Sequence, residues 1–189
     1  MNKYDFIIIG SGASGAAACY ELCKSGKSVL CIEKGGFVEK SEVPSNFSDW
    51  EVRKNSSFSF NPNIRDNKCD YSIDTSNSPI DIALYNGVGG STVLFSGHYP
   101  RFHVSDFKVK SLDGVADDWP IDYWDLESFY KENEIFLGVS GLNGDPSYPS
   151  DFSHLRKEID LGIGGNLFAN AMNELSWHWW PSYSAILTS

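Results

Sequence analysis

Asp5-Phe6-Ile7-Ile8-Ile9-Gly10-Ser11-Gly12-Ala13-Ser14-Gly15 decides the fold of this chain. Asp5 to Ile9 is a short β-branched apolar run that ends at a glycine, the pattern of a central parallel strand covered on both faces. Gly10, Gly12 and Gly15 then supply GxGxxG: the first permits a tight turn, the second lets backbone approach a pyrophosphate, and the third lets the next helix pack closely on the strand. That helix is expected from about Ser14 to Ser25. It opens with Ala16-Ala17-Ala18-Cys19 and has no acid in its first turn, so its positive end is free for an anion. Gly26 is the expected stop. Lys27 to Ile32 reads as the second strand, and Glu33 stands at its carboxyl end, 18 positions after Gly15, close to the ~20 expected for an acid that binds ribose hydroxyls.

A strand, a glycine turn, a small-residue helix, a second strand and an acid in this order predict a dinucleotide site. NAD and FAD share an ADP half, and Glu33 does not choose between them. A nicotinamide-type domain would continue with another crossover helix and strand. Here the chain runs into Lys34-Gly35-Gly36 and a polar stretch without helical period, which favours FAD.

Composition narrows the remaining classes. A length of 189 residues suits one core or slightly more. A net charge of -10 argues against nucleic acid, which needs a basic face. Cys19, Cys23, Cys31 and Cys69 lack metal-ligand spacing, and three fall in the first βαβ unit, where small buried side chains are wanted; reduced structural thiols are expected. No run reaches the ~20 apolar residues of a membrane span, and with no export signal at Met1 the expected location is cytoplasmic. Aromatic residues make up 14% of the chain, 6 Trp among them, and lie mostly after residue 95, where they predict an apolar wall.

Residues 37–77 are rich in Ser and Asn with isolated aromatics at Phe37, Phe47, Trp50, Phe58, Phe60 and Tyr71, which suggests a partly ordered excursion or lid; Arg53, Lys54 and Arg65 within it receive no role. Ile80 to Tyr85 alternates like a strand and leads into Gly87-Val88-Gly89-Gly90-Ser91-Thr92, a second loop whose backbone can lie against a flat or charged ligand. Two such loops in one chain are best explained by one long cofactor touched at two places. Further on, His98 is more readily structural than functional, Arg101 is expected to pair with Asp106, and Asp122 with Asp125 opens an amphipathic helix through Leu126, Phe129, Tyr130, Asn133 and Leu137 to Gly138. Residues 141–149 form a turn-rich link, 152–159 a possible short helix, and His178 packs in a tryptophan cluster.

Taken together, Asp5 to Gly15, Ile32-Glu33-Lys34-Gly35, Gly87 to Thr92, Trp119-Pro120-Ile121 and Leu137-Gly138-Val139-Ser140-Gly141 resemble the N-terminal part of the glucose-methanol-choline oxidoreductases, nearest the gluconate dehydrogenase-like and pyranose oxidase-like branch. The resemblance implies an α/β fold: an incomplete Rossmann-like FAD-binding domain over 1–140, with a polar excursion at 37–78, and the start of a substrate domain over 141–189. It implies that Gly10, Gly12, Ala13, Ser14 and Gly15 hold the FAD pyrophosphate, Glu33 the adenosine ribose, and that Gly89, Gly90 and Ser91 approach the flavin. Where some members attach flavin through a histidine, this chain has Leu94-Phe95, so FAD is expected to be non-covalent. The family's catalytic histidine segment has no counterpart before Ser189. Three readings follow: an N-terminal piece of a CH–OH oxidoreductase for alcohols or sugars, either a truncated reading frame or one part of a split enzyme with a companion chain; a non-catalytic flavin-binding remnant; or an NAD-linked reductase. No catalytic residue, metal site, membrane contact or nucleic-acid partner is expected of this stretch.

Overall fold

The computed structural model describes residues 3–39, 48, 59–65, 68, 70–80 and 82–188, in two compact units, Met1–Phe95 and Ser96–Ser189. The first unit is α/β. Strands β1 (Phe6–Ile9) and β2 (Val29–Ile32) pair in parallel, Phe6 opposite Val29 and Ile9 opposite Ile32, with helix α1 (Ala13–Lys24) as the crossover. Parallel neighbours cannot be joined by a hairpin, so two apolar runs flanking a helix-forming segment settle on this arrangement. Asp5 fastens its open end: its carboxylate accepts hydrogen bonds from Ser28 N and Oγ, both at 2.8 Å. Gly26, at φ +80°, follows the C-cap Ser25 and ends α1.

Three expectations for this unit are corrected. β1 is not covered on both faces: Ile7 and Ile9 are 60% and 86% exposed, because the sheet has two strands among the described residues and α1 lies on one side. Ile80 to Tyr85 forms no strand among its described residues (Asp81 is outside them); the Leu84 N–H goes to the Phe60 carbonyl at 3.0 Å, so the segment has no ladder to join. Cys23 and Cys31 are exposed and Cys19 is half-buried, since the layer that would cover them is also missing from the described residues. Phe47, Trp50, Arg53, Lys54, Phe58 and Cys69 lie outside the described residues, and the excursion they were assigned to is described only in part.

The second unit holds helices α2 (Val109–Asp113), α3 (Tyr123–Leu137) and α4 (Gly162–Glu174). Between the helices, Ser140 and Ser184 exchange backbone hydrogen bonds at 2.8 and 3.0 Å, and Arg156 is bridged alongside Ser140. Val139, Phe152 and Tyr183 form its core, with Tyr99, Tyr148, Leu155, Trp180 and Ala185 packed on it. α3 starts at Asp122, which accepts from Trp124 N and Asp125 N while Asp125 caps back, and it ends at Gly138 in the left-handed region.

Here too the details differ from expectation. The aromatic wall is made of Tyr and Phe with Trp180 packed against them, while Trp119, Trp124 and Trp177 are more than half exposed. Phe129 and Leu137 are exposed on α3, and the side chains it buries are Tyr123 and Glu134. Arg101 decides that orientation: its partner is Glu134, not Asp106, which accepts from the His103 N–H at 2.7 Å. Residues 152–159 form no helix, since the Arg156 N–H and carbonyl are bonded to Val139 and Gly141. α4 was not foreseen, because Gly162, Gly164 and Gly165 depress its helix propensity.

Candidate dinucleotide-binding site

Every residue singled out for cofactor contact lies in the first unit. The first loop begins while still tied to β2, with the Gly10 N–H on the Ile32 carbonyl at 2.8 Å and Gly10 at φ +94°. A Cβ on Gly15 would stand 2.0 Å from the Gly10 carbonyl oxygen and 3.4 Å from Ile8 Cγ2, so α1 rests directly on the turn and the strand. At the start of α1, Gly12 is the N-cap, no side chain caps the first turn, and no acid occupies it. The N–H groups of Ala13, Ser14 and Gly15 therefore sit at the positive pole of the helix with no side-chain acceptor.

Glu33 lies beside this turn. Its Oε2 accepts from both the N–H and the hydroxyl of Ser11 at 2.8 Å, and its Oε1 accepts from the Gly35 N–H at 2.9 Å. The Gly35 and Ser11 amides, then the Ser11 hydroxyl, hold its carboxyl well below the ordinary range, at about 2. The acid is therefore ionised at neutral pH and spliced into the loop.

The second glycine loop meets the first. Gly89 N–H donates to the Ser11 carbonyl at 3.2 Å and lies 3.3 Å from its hydroxyl, and a Cβ on Gly90 would come within 3.0 Å of Gly12 Cα. A third segment joins them: Val88 N–H donates to the Gly36 carbonyl at 3.0 Å, and a Cβ on Gly35 would fall 2.4 Å from the Asn86 carbonyl oxygen. Ser91 turns inward on its own loop, accepting from Tyr85 N–H at 3.3 Å, while Thr92 Oγ1 donates to the Gly89 carbonyl at 2.5 Å.

Below that loop sits Arg65, which the sequence reading left without a role. It is buried, forks onto Asp70 at 2.7 and 2.8 Å, and lies over the Tyr85 ring at 4.7 Å. Asp70 in turn accepts from the Asn86 side-chain amide at 2.7 Å. Burial pushes the Asp70 carboxyl up, but Arg65 and Asn86 outweigh it and hold the carboxyl below its usual value. Sequence reasoning also missed Ser11, Gly35 and Gly36 as structural partners of the site. The available signals were a hydroxyl between two loop glycines and a glycine pair directly after the ribose-type acid.

Neither of the two histidines weighed from the sequence lies in this unit. His98 Nδ1 is 2.9 Å from Ser182 Oγ. His178, half-exposed, bonds Ser147 Oγ at 3.0 Å, faces Asp145 at 3.2 Å and stacks on Trp180.

Residues 8–67 match the model of an NAD(P)-binding Rossmann-like domain. Among characterised proteins, the chain is 39% identical over 191 aligned residues to 2-methyl-1,2-propanediol dehydrogenase of Mycolicibacterium austroafricanum, covering 99% of this chain and 34% of that protein. It is 26% identical to the fructose dehydrogenase large subunit of Gluconobacter japonicus, over 90% of this chain and 34% of that one. It is 33% identical to 6'''-hydroxyparomomycin C oxidase of Streptomyces lividus, over 73% of this chain and 23% of that one. The chain thus spans about a third of the length of the first two relatives and less of the third. The joined glycine loops, the Rossmann-type βαβ unit and the family-model match make the chain a dinucleotide-binding α/β protein, similar over about a third of their length to oxidoreductases named for alcohols and sugars.

Proposed function

We propose that this chain is the cofactor-binding part of an FAD-dependent oxidoreductase acting on CH–OH groups of alcohols or sugars. One observation supports this above the others: three glycine-bearing segments and an ionised carboxylate meet at the uncapped N-terminus of α1. The residues fit a dinucleotide. A Cβ on Gly10 would meet nothing within 4 Å, and one on Gly12 would meet only the Gly89 carbonyl oxygen at 4.0 Å, so backbone is left open to a phosphate group.

In this reading Gly10, Gly12, Ala13, Ser14 and Gly15 hold the pyrophosphate, and Gly89, Gly90 and Ser91 approach the flavin side. Glu33 already accepts three hydrogen bonds of the roughly four its oxygens can take. It therefore receives one ribose hydroxyl, on Oε1. Bound FAD supplies the hydride acceptor. This chain's own residues bind and orient it, and Leu94-Phe95 leave it non-covalent. The base that takes the alcohol proton belongs to the part of the relatives' length that this sequence does not span. The functional division, cofactor binding through residue 140 and substrate contacts from 141, is part of the same proposal.

An absorbance spectrum and thermal melts of the purified chain test the cofactor assignment. FAD at roughly a hundredfold excess over Kd should stabilise the chain by about 2.7 kcal/mol. No bound flavin and no stabilisation would end the FAD reading, and stabilisation by NADH alone would replace it with a nicotinamide one.

A further inference from the structure

Cys19, Cys23 and Cys31 converge between α1 and β2, apart from the phosphate-binding turn. Ile8 touches Gly15, so Ile8 faces α1. Cys31 is paired in register with Ile8 and therefore points to the same side of the sheet. On α1, Cys19 and Cys23 follow Gly15 at successive intervals of four, which places all three on the helix face toward the sheet. Strand register and helical phase thus bring Cys19 and Cys31 to the same α1–β2 interface, where Cys31 Sγ lies 4.0 Å from the Gly10 carbonyl oxygen. Among the described residues nothing covers Cys31 and Cys23, so in this chain taken by itself a small oxidant reaches them.

We propose that Cys19 and Cys31 are a modification site: a hydroperoxide converts them to a disulfide that fastens α1 to β2. In the first step the Cys31 thiolate attacks the peroxide oxygen, giving a sulfenic acid and releasing water or an alcohol. In the second, the Cys19 sulfur attacks the Cys31 sulfur, an S–S bond forms, the S–O bond breaks, and the Cys19 proton leaves with the hydroxyl as water. Two thiols are oxidised and one peroxide is reduced. Cys19 is the resolving partner, because burial and the neighbouring thiols of Cys31 and Cys23 hold it above its ordinary range and favour the protonated form. Cys23 is the less favourable partner for Cys19, since thiols four apart on one helix both lean toward its N-terminus and do not face each other. The link closes a loop of about a dozen residues under Gly10, tying the floor of the turn.

The test uses the full chain with Cys69→Ser, treated with hydrogen peroxide and then mapped by mass spectrometry without reduction. The expected product has lost two hydrogens, joins the Cys19 and Cys31 peptides, reverts with dithiothreitol, and melts about 5 °C higher than the reduced chain. Cys31→Ser and Cys19→Ser should each abolish the bridge, whereas Cys23→Ser should leave it intact. Circular dichroism of each variant confirms that it is folded. Oxygen adducts without loss of hydrogen, or a bridge that disappears in Cys23→Ser and survives in Cys31→Ser, would overturn the assignment. None of these readings depends on which dinucleotide the chain binds.

Discussion

The two units hold themselves together with different parts of the chain. In the first, among the described residues, Tyr85 is the one buried large hydrophobic side chain, and the joints are backbone hydrogen bonds and glycine contacts between residues 10–15, 33–36 and 86–92. In the second, Phe107, Tyr123, Val139, Phe152 and Tyr183 are buried, and around them an Arg101–Glu134 pair is sealed from water. Backbone at close range makes a cradle for a ligand, but it contributes little apolar burial. The first unit is built to hold something, and the second to hold itself.

If that contrast is right, the largest single effect on stability lies in the second unit. Glu134 accepts from Arg101 at 2.7 and 2.6 Å and is near His154 Nε2 at 2.6 Å, with both members of the pair 2% exposed. Arg101 also donates to Tyr123 OH at 2.9 Å and lies over Phe152. Despite burial, which alone would lower it, the Arg101 guanidinium is pushed up by Glu134 and Tyr123 and stays charged. Glu134→Ala strands that charge and should cost about 3–5 kcal/mol in urea unfolding. Arg101→Met combined with Glu134→Leu should recover most of the loss, because the expense lies in the unpaired ion. A cost below about 1 kcal/mol for Glu134→Ala would mean that water reaches the pair, and the contrast with the first unit would fail.

Next in size is Gly15→Ala. The new methyl would meet a backbone carbonyl at 2.0 Å with no flexible side chain to give way, so α1 must shift off the turn, at a cost of about 1–3 kcal/mol. The stabilisation by dinucleotide should fall with it. Gly26→Ala is the control: it meets no atom within 4 Å, and its only penalty is φ +80°, roughly 1–2 kcal/mol, with ligand stabilisation kept. Equal loss of ligand response in both variants would detach the helix N-terminus from binding.

Acid titration sharpens the same contrast. The native Glu33 carboxyl is held at about 2, against 4.5 for an ordinary glutamate. Its contribution is fully present above the unfolded value and is lost as pH falls from about 4.5 toward 2. Glu33→Gln should flatten the stability profile of the chain in that window, leaving the smaller slopes from Asp5 and Asp70, whose carboxyls are also held low. At pH 7 the substitution turns an amide donor or a weaker acceptor toward Ser11, for roughly 1 kcal/mol. An unchanged acid profile would show that the Ser11 and Gly35 contacts do not persist in solution.

How much of this was legible depended on the range of the interaction. The βαβ unit, the ends of α1 and the position of Glu33 follow from spacing along a few residues, and the sequence carries them in plain form. That Ser11 and Gly35 seize Glu33, or that Arg65 forks onto Asp70 under Asn86, depends on which loop comes to rest on which, and no local pattern encodes it. Ile80 to Tyr85 alternates like a strand but has no strand to pair with among the described residues, because alternation describes a surface and pairing needs a partner. Glu134 looks like a solvated charge on α3 until Arg101, 33 residues earlier, is placed against it.

The smallest expected effect tests the most local reading. Asp122 accepts from Trp124 N at 2.8 Å and Asp125 N at 3.2 Å, and Asp125 returns the bond to Asp122 N at 2.9 Å. This reciprocal cap is visible in Asp122-Tyr123-Trp124-Asp125 alone. Asp122→Ala frees two N–H groups at an exposed helix end, where water replaces most of what is lost, so the cost should be about 1 kcal/mol. Asp122→Asn should restore nearly all of it, because the amide oxygen can still accept. A cost near that of Glu134→Ala would mean that α3 is held by its first turn and not by the buried pair in its last one, and the second unit would then depend on backbone contacts as the first does.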